Sequence, residues 1–315
     1  MKFGLGVPAL ILYPPVMSRW EADVKPGDLL RIAQKADETG YDWLTVPEHI
    51  IMPREAAEIM GPRFPEALAA AAFLCGATKR IHLLSYVLVL PYRNPVSLAK
   101  QVSTLDFLSN GRIALGAAAG HLEREFEILK VPFHERGAMT DEYIQVMKEL
   151  WTSPEPSFNG RYVQFENVVF EPKPVQQPHP PIFIGGNSKP AMRRAARDGD
   201  GWLPWLIGRK QLPEALTYIR EQPDYGASDR PFEVVMPLAQ LNVEDYSHKE
   251  LGKTRVPRGK DEIVEEIGLL GEAGVTTTLV APPRTPDVEA FLEWVEWFAQ
   301  EVRPAPLGRL RLPSA

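Results

Sequence analysis

The chain has one cysteine and no long apolar run. Among its 315 residues Cys75 is the single thiol, which excludes an internal disulfide and any metal site built from several cysteines. A lone cysteine also fits a reducing compartment. A membrane-spanning helix needs roughly 18 or more consecutive apolar residues. The longest apolar run, residues 67–77, is shorter and predicts a buried helix instead.

An excess of positive charge is missing as well. Lysine and arginine number 35 against 41 acidic residues, and the net charge is −6. Because phosphate binding needs a basic surface, this balance argues against nucleic acid as the main partner. A strand pattern begins at residue 3 and leaves no room for a signal peptide. We therefore expect a soluble cytoplasmic protein.

A recurring join between helix and strand organises the chain. Gly40, Gly111, Gly199 and Gly274 each follow a predicted helix end and precede a short apolar strand. Glycine readily adopts the left-handed conformation that ends many helices. The pattern therefore predicts an α/β protein in which helices and strands alternate.

Eight strands are predicted in this alternation. They lie at residues 3–7, 43–46, 81–90, 113–115, 182–184, 202–203, 232–241 and 276–280. Eight β/α units are typical of a (β/α)8 TIM barrel, which we favour over a doubly wound sheet. We expect the single barrel to span residues 1–302.

One region interrupts the alternation. Residues 162–165 and 168–170 are strand-like and predict a small hairpin, and five prolines then predict a stiff extended segment. We therefore expect an insertion after the fourth strand, at about residues 152–181. The proline- and arginine-rich residues 303–315 are expected to form a loosely attached tail.

The carboxyl ends of barrel strands are where catalytic groups are expected. Glu48 and His49 follow the second strand, and a histidine beside a carboxylate is a candidate acid/base pair. A loop histidine that bonds only backbone is an equally good interpretation. His121 ends a run of small residues after the fourth strand, where either a flat ligand or a packed helix could approach closely.

A glycine pair follows the fifth strand. Gly185, Gly186, Asn187 and Ser188 combine flexible backbone with a helix-capping serine, which suits a bound phosphate. A simple turn is the alternative, since the usual phosphate site of such barrels follows strands seven and eight. Several basic residues come next, and we expect most of them to form a solvated helix face.

Other catalytic motifs are absent. The sequence contains no G-x-x-x-x-G-K-[ST], H-E-x-x-H, G-x-S-x-G or C-x-x-C pattern. The remaining histidines, at positions 82, 134, 179 and 248, show no metal-ligand spacing. We therefore expect no metal site and no zinc-dependent hydrolysis.

Several segments at these strand ends carry a family resemblance. They are GYDWLTVPEH at 40–49, LVLPYRNP at 88–95, SNGR at 109–112, IGGNS at 184–188 and RAARDGDGW at 194–202. Together they resemble the bacterial luciferase-like family, which includes the coenzyme F420-dependent oxidoreductases. The resemblance covers most of the chain.

The resemblance implies a barrel that binds the deazaflavin F420 or the flavin FMN at its open end. F420-dependent members often have a bulge with a non-proline cis peptide in strand three, which here corresponds to Tyr86–Val87 with Ser85 before it. Ala118 and Gly120 are expected beside the cofactor. The glycine pair with Asn187 and Ser188 matches the cofactor-phosphate loop.

His49 matches a histidine that some members of the family use at the hydride site, with Glu48 before it. Sugar-phosphate dehydrogenases of the family carry a glutamate acid at the position of His121. Because that carboxylate is missing here, their activity and proton-transfer scheme are in doubt for this chain. His121 would then either serve as the acid or shape the pocket.

Three functions follow from the resemblance as hypotheses. The first is hydride transfer between F420 and a small organic substrate. The second is a two-component FMN-dependent monooxygenase supplied with reduced FMN by a separate reductase, and the third is a non-catalytic flavin-binding protein. A homodimer is expected from the family. Candidate aromatic residues of the substrate pocket are Tyr13, Trp20, Tyr92, Trp202 and Trp205.

Overall fold

The computed structural model describes residues 1–14, 17–226, 230–238, 259–280 and 282–303. The strands are β1 (Lys2–Gly6), β2 (Trp43–Val46), β3 (His82–Ser85), β4 (Leu88–Val89), β5 (Ile113–Ala118), β6 (Phe158–Asn159), β7 (Gln164–Phe165), β8 (Ile182–Gly185), β9 (Gly201–Leu203), β10 (Glu233–Pro237) and β11 (Thr277–Val280). The α-helices are α1 (Pro26–Glu38), α2 (Arg54–Met60), α3 (Ala67–Gly76), α4 (Pro95–Ser109), α5 (Glu123–Leu129), α6 (Arg136–Thr152), α7 (Lys189–Asp198), α8 (Leu212–Arg220), α9 (Lys260–Glu272) and α10 (Val288–Trp297).

The parallel strands close into a barrel. β1 is hydrogen-bonded to β2 on one side and to β11 on the other, and the circle runs on through β10, β9, β8, β5 and β3. β3 and β4 are two parts of the third barrel strand, and both pair with β5. The predicted (β/α)8 barrel is confirmed, because a doubly wound sheet would leave two open edges. The end of the predicted seventh strand, residues 239–241, lies outside the described residues.

Apolar side chains fill the inside of the barrel. Trp43, Leu84, Phe183, Leu203 and Leu279 belong to a buried cluster that the strands enclose. A larger core lies between the strands and the surrounding helices. Because the strands are covered on both sides, they read as nearly continuous apolar runs, which is why they were recognisable from the sequence.

The glycine joins differ in their geometry. Gly40, Gly111 and Gly274 have φ angles of 82°, 81° and 98°, as expected for the left-handed residue after a helix. Gly199 instead has an extended backbone with φ −99°. Glycine is needed there for a close approach, since a Cβ would lie 2.9 Å from the carbonyl oxygen of Ala195.

The hairpin in the insertion was predicted with the wrong strands. β6 pairs with β7 in antiparallel fashion, and residues 168–170 form no strand. The reason is a side chain of α6. Glu142 accepts hydrogen bonds from the backbone N–H groups of Arg161, Tyr162 and Val163, at 2.8, 2.7 and 2.8 Å. These bonds fix the hairpin turn before β7, so that β7 is the second strand of the hairpin and not the first.

The insertion lies between α6 and β8 and is tied to the barrel by a buried carboxylate. Asp106 of α4 accepts the backbone N–H groups of Val175 and Gln176 at 2.7 and 3.0 Å, and also the Gln176 side-chain amide at 2.6 Å. The proposed tail begins at Arg303, which contacts the Gly40 carbonyl oxygen. Residues 304–315 lie outside the described residues.

Within the described part of the chain, no helix is both long and apolar enough to cross a membrane. Cys75 is a free, buried thiol in α3, and burial raises its pKa. A thiol in such a position packs as a small apolar side chain.

Candidate active site

The loops that follow the barrel strands form an open end, here called the mouth. It includes His49 after β2, Val87 between β3 and β4, His121 after β5, Gly185 at the end of β8, and Trp205 after β9. The His49 and His121 rings are nearly perpendicular, with 6.2 Å between their centroids. The His121 ring lies 6.5 Å from the Trp205 ring. The structure therefore brings the two predicted histidines together.

His49 is paired with a carboxylate that was not predicted. Its Nδ1 lies 2.8 Å from Oε2 of Glu125 in α5. Glu125 also accepts the backbone N–H groups of Ile50 and Ile51, at 2.7 and 3.1 Å, and the hydroxyl of Tyr92 at 2.9 Å. The Glu125 side chain is fully buried, and 10% of the His49 side chain is exposed. Nothing in the sequence distinguishes Glu125 from the other acidic residues of α5.

Glu125 is held as an anion. Burial by itself raises its pKa, but hydrogen bonds from the His49 ring and from the Ile51 and Ile50 N–H groups outweigh burial, and the pKa is lowered. Burial and the nearby Glu125 charge both raise the pKa of Tyr92. The phenol therefore stays neutral and donates a hydrogen bond to the carboxylate.

Glu48 turns to the opposite side from His49. Its Oε2 accepts the backbone N–H of Val89 at 2.7 Å, and its Oε1 forms an ion pair with Arg93. Arg93 also reaches Glu66 at 2.6 Å. Burial raises the pKa of Glu48 to about 7, although Arg93 and the Val89 N–H favour the carboxylate. These contacts hold Glu48 in the barrel wall and not against the His49 ring.

The predicted bulge of strand three is present. The Tyr86–Val87 peptide bond is cis, as the resemblance implied. Ser85 bridges the gap that opens beside β5, since its Oγ accepts the Gly116 N–H at 2.9 Å and donates to the Gly116 carbonyl at 3.0 Å. A Cβ at Gly116 would lie 2.0 Å from the Ser85 carbonyl oxygen. The bulge therefore needs glycine at this position.

Small side chains form an apolar floor in the mouth. A Cβ built on Gly185 would lie 3.2 Å from Val87 Cγ1 and 3.4 Å from the Ala118 Cβ. All three residues are partly exposed, and Val87 packs on the buried cluster inside the barrel. This floor fits one face of a flat ring such as a flavin or deazaflavin.

Gly120 has a different structural role from the other small residues. Its φ is 84°, and a Cβ there would lie 2.6 Å from Val89 Cγ1 and 2.8 Å from Phe126 Cε2. The missing side chain thus makes room for α5 against β4. The structure thus places Gly120 against Val89 and Phe126 and not on the apolar floor.

The backbone of the glycine pair is partly used in hydrogen bonds to the barrel. Gly186 has φ 113°, its N–H donates to the Leu203 carbonyl at 3.1 Å, and its own carbonyl accepts Trp202 Nε1 at 2.7 Å. One of the N–H groups expected to face a phosphate is therefore used between strands. Trp202 is fully buried and acts in this contact.

Asn187 and Ser188 shape the rest of that loop. The Ser188 hydroxyl accepts the Ala191 N–H at 3.3 Å and caps α7. Asn187 Oδ1 accepts the Trp205 N–H at 2.8 Å, and its amide nitrogen donates to the Trp205 carbonyl. The amide thereby fixes the backbone of Trp205, whose side chain is 47% exposed beside His121.

Most of the basic residues of α7 are exposed, as expected: Lys189, Arg193 and Arg197 lie at the surface, and Arg194 is buried. Arg194 and Arg197 form ion pairs with Asp141 of α6, at 2.9 and 2.6 Å. Arg193 donates to the Tyr218 hydroxyl at 3.0 Å. The solvated face of α7 therefore also contacts the edges of α6 and α8.

The predicted aromatic residues have mixed positions. Trp20 packs on Phe291 and donates to Thr285 at 3.0 Å, outside the mouth floor. Tyr92 serves Glu125, as described above, and Tyr13 is partly buried in the loop after β1. Trp205 is the member of the group that lies exposed beside His121.

A separate cavity of about 260 Å³ opens at the other end of the barrel. Two of its carboxylates bind backbone groups: Asp42 accepts the Phe3 N–H at 2.8 Å and Asp200 accepts the Ile182 N–H at 2.9 Å. Groups at the amino-terminal end of barrel strands usually contribute to stability. No group of three or more metal-ligating side chains occurs among the residues that the structure describes.

Comparison with known proteins agrees with the geometry. The family model described as luciferase-like monooxygenase matches residues 5–245. An uncharacterized protein of Mycobacterium tuberculosis is 27% identical over 284 residues, which are 86% of this chain and 93% of that protein.

Two relatives of known activity match about half of the chain. FMNH2-dependent dimethylsulfone monooxygenase of Pseudomonas putida is 31% identical over 176 residues, which are 55% of this chain and 47% of that protein. F420-dependent glucose-6-phosphate dehydrogenase of Amycolatopsis mediterranei is 32% identical over 182 residues, which are 56% of this chain and 53% of that protein. In fold, the chain is similar to monooxygenase RslO1 from Streptomyces bottropensis, with TM-score 0.74 and 21% identity over 96% of this chain and 98% of that one.

Replacing Arg93 by methionine will leave the Glu48 carboxylate buried without its countercharge. We expect Arg93→Met to lose about 3 kcal/mol of unfolding free energy at alkaline pH, where Glu48 is ionised. Arg93 holds the pKa of Glu48 down, so in the variant this pKa rises above the wild-type value of about 7, and protonation of the carboxyl relieves the loss as the pH falls from the alkaline range to about 7. Urea denaturation across this pH range measures the effect.

The matched control is Arg124→Met, which removes an arginine from an exposed ion pair with Glu127. We expect it to change stability by at most about 1 kcal/mol, with little dependence on pH. An Arg93→Met loss that is the same at both ends of the range would contradict the assigned pairing.

Proposed function

The chain belongs to the luciferase-like monooxygenase family, and on this premise we propose that it transfers a hydride between coenzyme F420 and a small organic substrate. Its curated relatives include both an F420-dependent dehydrogenase and an FMNH2-dependent monooxygenase. A flavin-type cofactor is therefore common to both relatives. The choice of F420 and of hydride transfer is the more specific part of the proposal.

One observation carries the proposal. A histidine paired with a buried carboxylate lies in the same mouth as a floor of small apolar groups. Hydride transfer to or from a carbon that bears oxygen also moves one proton at that oxygen. A positioned histidine is the side chain best suited to give or take such a proton near neutral pH.

The cofactor would be held by the floor and by the start of α7. Val87, Ala118 and Gly185 would face the ring, and the N–H groups near Ser188 would face a phosphate, favoured by the helix dipole. When bound, F420 supplies a ring carbon that accepts or donates the hydride. The protein supplies the position of the ring and the proton path.

The proposal assigns different roles to the predicted catalytic residues. His49 would exchange the proton with the substrate oxygen, and His121 would border the substrate on the other side. Glu48 would act as a positioning residue, because its contacts fix Val89 and Arg93 behind the mouth. Ile50, Phe64 and Trp205 line this region, which favours an uncharged substrate with an apolar body.

The second candidate is the two-component FMN-dependent monooxygenase, which the Pseudomonas relative supports. It would use the same floor and histidine and would need a separate reductase for reduced FMN. A non-catalytic flavin-binding role is the third candidate. Oxygen uptake with reduced FMN identifies the second, and cofactor retention without any turnover identifies the third.

Titration with each cofactor tests the proposal. We expect F420 to quench protein fluorescence with a stronger affinity than FMN, and Gly185→Val to abolish this binding, because the valine side chain would occupy the floor. Gly268→Val is the matched control, since a Cβ at this helical glycine meets no neighbour. Tight FMN binding with no response to F420 would overturn the F420 proposal.

Loss of the His49 ring should affect chemistry more than binding. We expect His49→Gln to lower kcat of the cofactor-loaded enzyme by about 10²–10⁴-fold and to leave cofactor affinity unchanged. His134→Gln, at a position away from the mouth, is the control. Turnover that survives in His49→Gln would remove His49 from the proposed proton path.

We propose further that the protein is a homodimer. Helix α3 has no charged residue and exposes Phe73, and the end of the adjacent α4 exposes Phe107 and Leu108. Exposed apolar patches of this kind mark protein interfaces. Light scattering should give twice the chain mass of 35.3 kDa, and a Phe73→Glu, Leu108→Glu double variant should give the monomer mass.

The control for the dimer is Val264→Glu, which changes an exposed valine on α9. It should leave the mass doubled. A monomeric wild-type protein, or a double variant that stays dimeric, would contradict an interface on α3 and α4.

A further inference from the structure

We propose that Glu125 is a positioning residue that keeps a proton on Nδ1 of His49, so that Nε2 is the nitrogen that exchanges protons with the substrate. This inference rests on the proposed function for its catalytic consequence. Its structural content concerns the chain alone and is measurable without cofactor. Glu125 is neither next to His49 in sequence nor part of the segments that carried the family resemblance.

Four partners surround the Glu125 carboxylate. Oε1 receives the N–H groups of Ile50 and Ile51, and Oε2 receives the Tyr92 hydroxyl and His49 Nδ1. Backbone N–H groups can only donate. Each oxygen thus meets two partners, and a proton on Oε1 would point at a group that can only donate. The arrangement therefore suits the ionised, acceptor-only form.

The ionised carboxylate fixes the tautomer of the imidazole. Because an ionised carboxylate cannot donate, the 2.8 Å contact requires a proton on His49 Nδ1. In a neutral ring, Nε2 is then unprotonated and can accept a proton. The same carboxylate stabilises the imidazolium that forms when Nε2 takes that proton. The edge of the His49 ring against Phe64, with centroids 4.7 Å apart, limits rotation of the ring.

Glu125 is itself held in place by aromatic packing. The Tyr92 ring packs edge-on against Phe126, with centroids 4.7 Å apart, while its hydroxyl binds Glu125. Gly120 leaves room for Phe126 to approach. Helix α5 is therefore fastened beside β4, and the carboxylate has little freedom to leave the histidine.

The substitution Glu125→Gln is expected to move the proton of the neutral His49 ring. The Ile50 and Ile51 N–H groups need an oxygen, so the amide oxygen of the introduced glutamine will face them and its NH2 group will face His49 and Tyr92. The opposite orientation is disfavoured because it would leave two buried backbone donors unpaired. An NH2 group that donates to Nδ1 requires the proton of the neutral ring to move to Nε2.

Nitrogen NMR of ¹⁵N-histidine-labelled full-length protein tests this. The His49 signals are assigned by their loss in His49→Gln. We expect the neutral His49 ring of the wild type to carry its proton on Nδ1, and that of Glu125→Gln to carry it on Nε2. Glu127→Gln, an exposed residue of the same helix, and Tyr92→Phe, which keeps the carboxylate, should both retain the wild-type pattern.

A wild-type proton on Nε2, or a Glu125→Gln variant that keeps it on Nδ1, would overturn the inference. If Glu125→Gln fails to fold, the wild-type and Tyr92→Phe spectra decide, since both must show the proton on Nδ1. In the cofactor-loaded enzyme, Glu125→Gln should lower kcat by about 100-fold or more with cofactor affinity unchanged. Absence of turnover in the wild type with F420 and with FMN would defeat the proposed function, while the tautomer result would stand.

Discussion

The loops of this barrel are held by carboxylates that accept runs of consecutive backbone N–H groups. Among the described residues these are Asp37 with 79–81, Glu125 with 50–51, Glu142 with 161–163 and Asp106 with 175–176. A buried charge is costly unless its lone pairs are filled, and unpaired loop N–H groups are costly as well. Each such contact removes both costs together, because hydrogen bonds to a charged acceptor are the stronger kind.

Glu125 makes this kind of carboxylate–backbone contact in the mouth. One of its oxygens secures the loop after β2, and the other is left for the His49 ring and the Tyr92 hydroxyl. The same contact therefore fixes a loop and orients a group that can carry protons. Glu48 shows the contrast, since its contacts with Val89 and Arg93 are made within the barrel wall and burial raises its pKa.

The floor of the mouth depends on a second constraint, which is the close approach of neighbouring backbone segments. Gly116 allows β5 to pass the Ser85 carbonyl where strand three bulges, and Gly185 leaves the space above Val87 open. A side chain at Gly116 would collide with the Ser85 carbonyl, and one at Gly185 would contact Val87 and Ala118. His49 and the floor come from different strand ends, and the closed barrel places them at the same mouth.

Much of the architecture could be predicted because its causes are local. Apolar strands and the glycines that end helices are short patterns, and parallel strands in eight units have few ways to close. The strand-end rule also identified His49, His121 and Gly185. The hairpin was misplaced, because Glu142 fixes its turn from 19 to 21 residues away and no local pattern records that contact.

The sequence by itself thus determined the barrel, its strand ends and some of the residues that lie there. The tertiary structure decided which carboxylate serves His49. Glu48 is the neighbour in sequence, but it binds Val89 and Arg93 instead. Glu125 is 76 residues distant and reaches the ring because α5 packs over β4. Side-chain direction and hydrogen-bond partners are properties of packing, and packing exists only once distant segments have met.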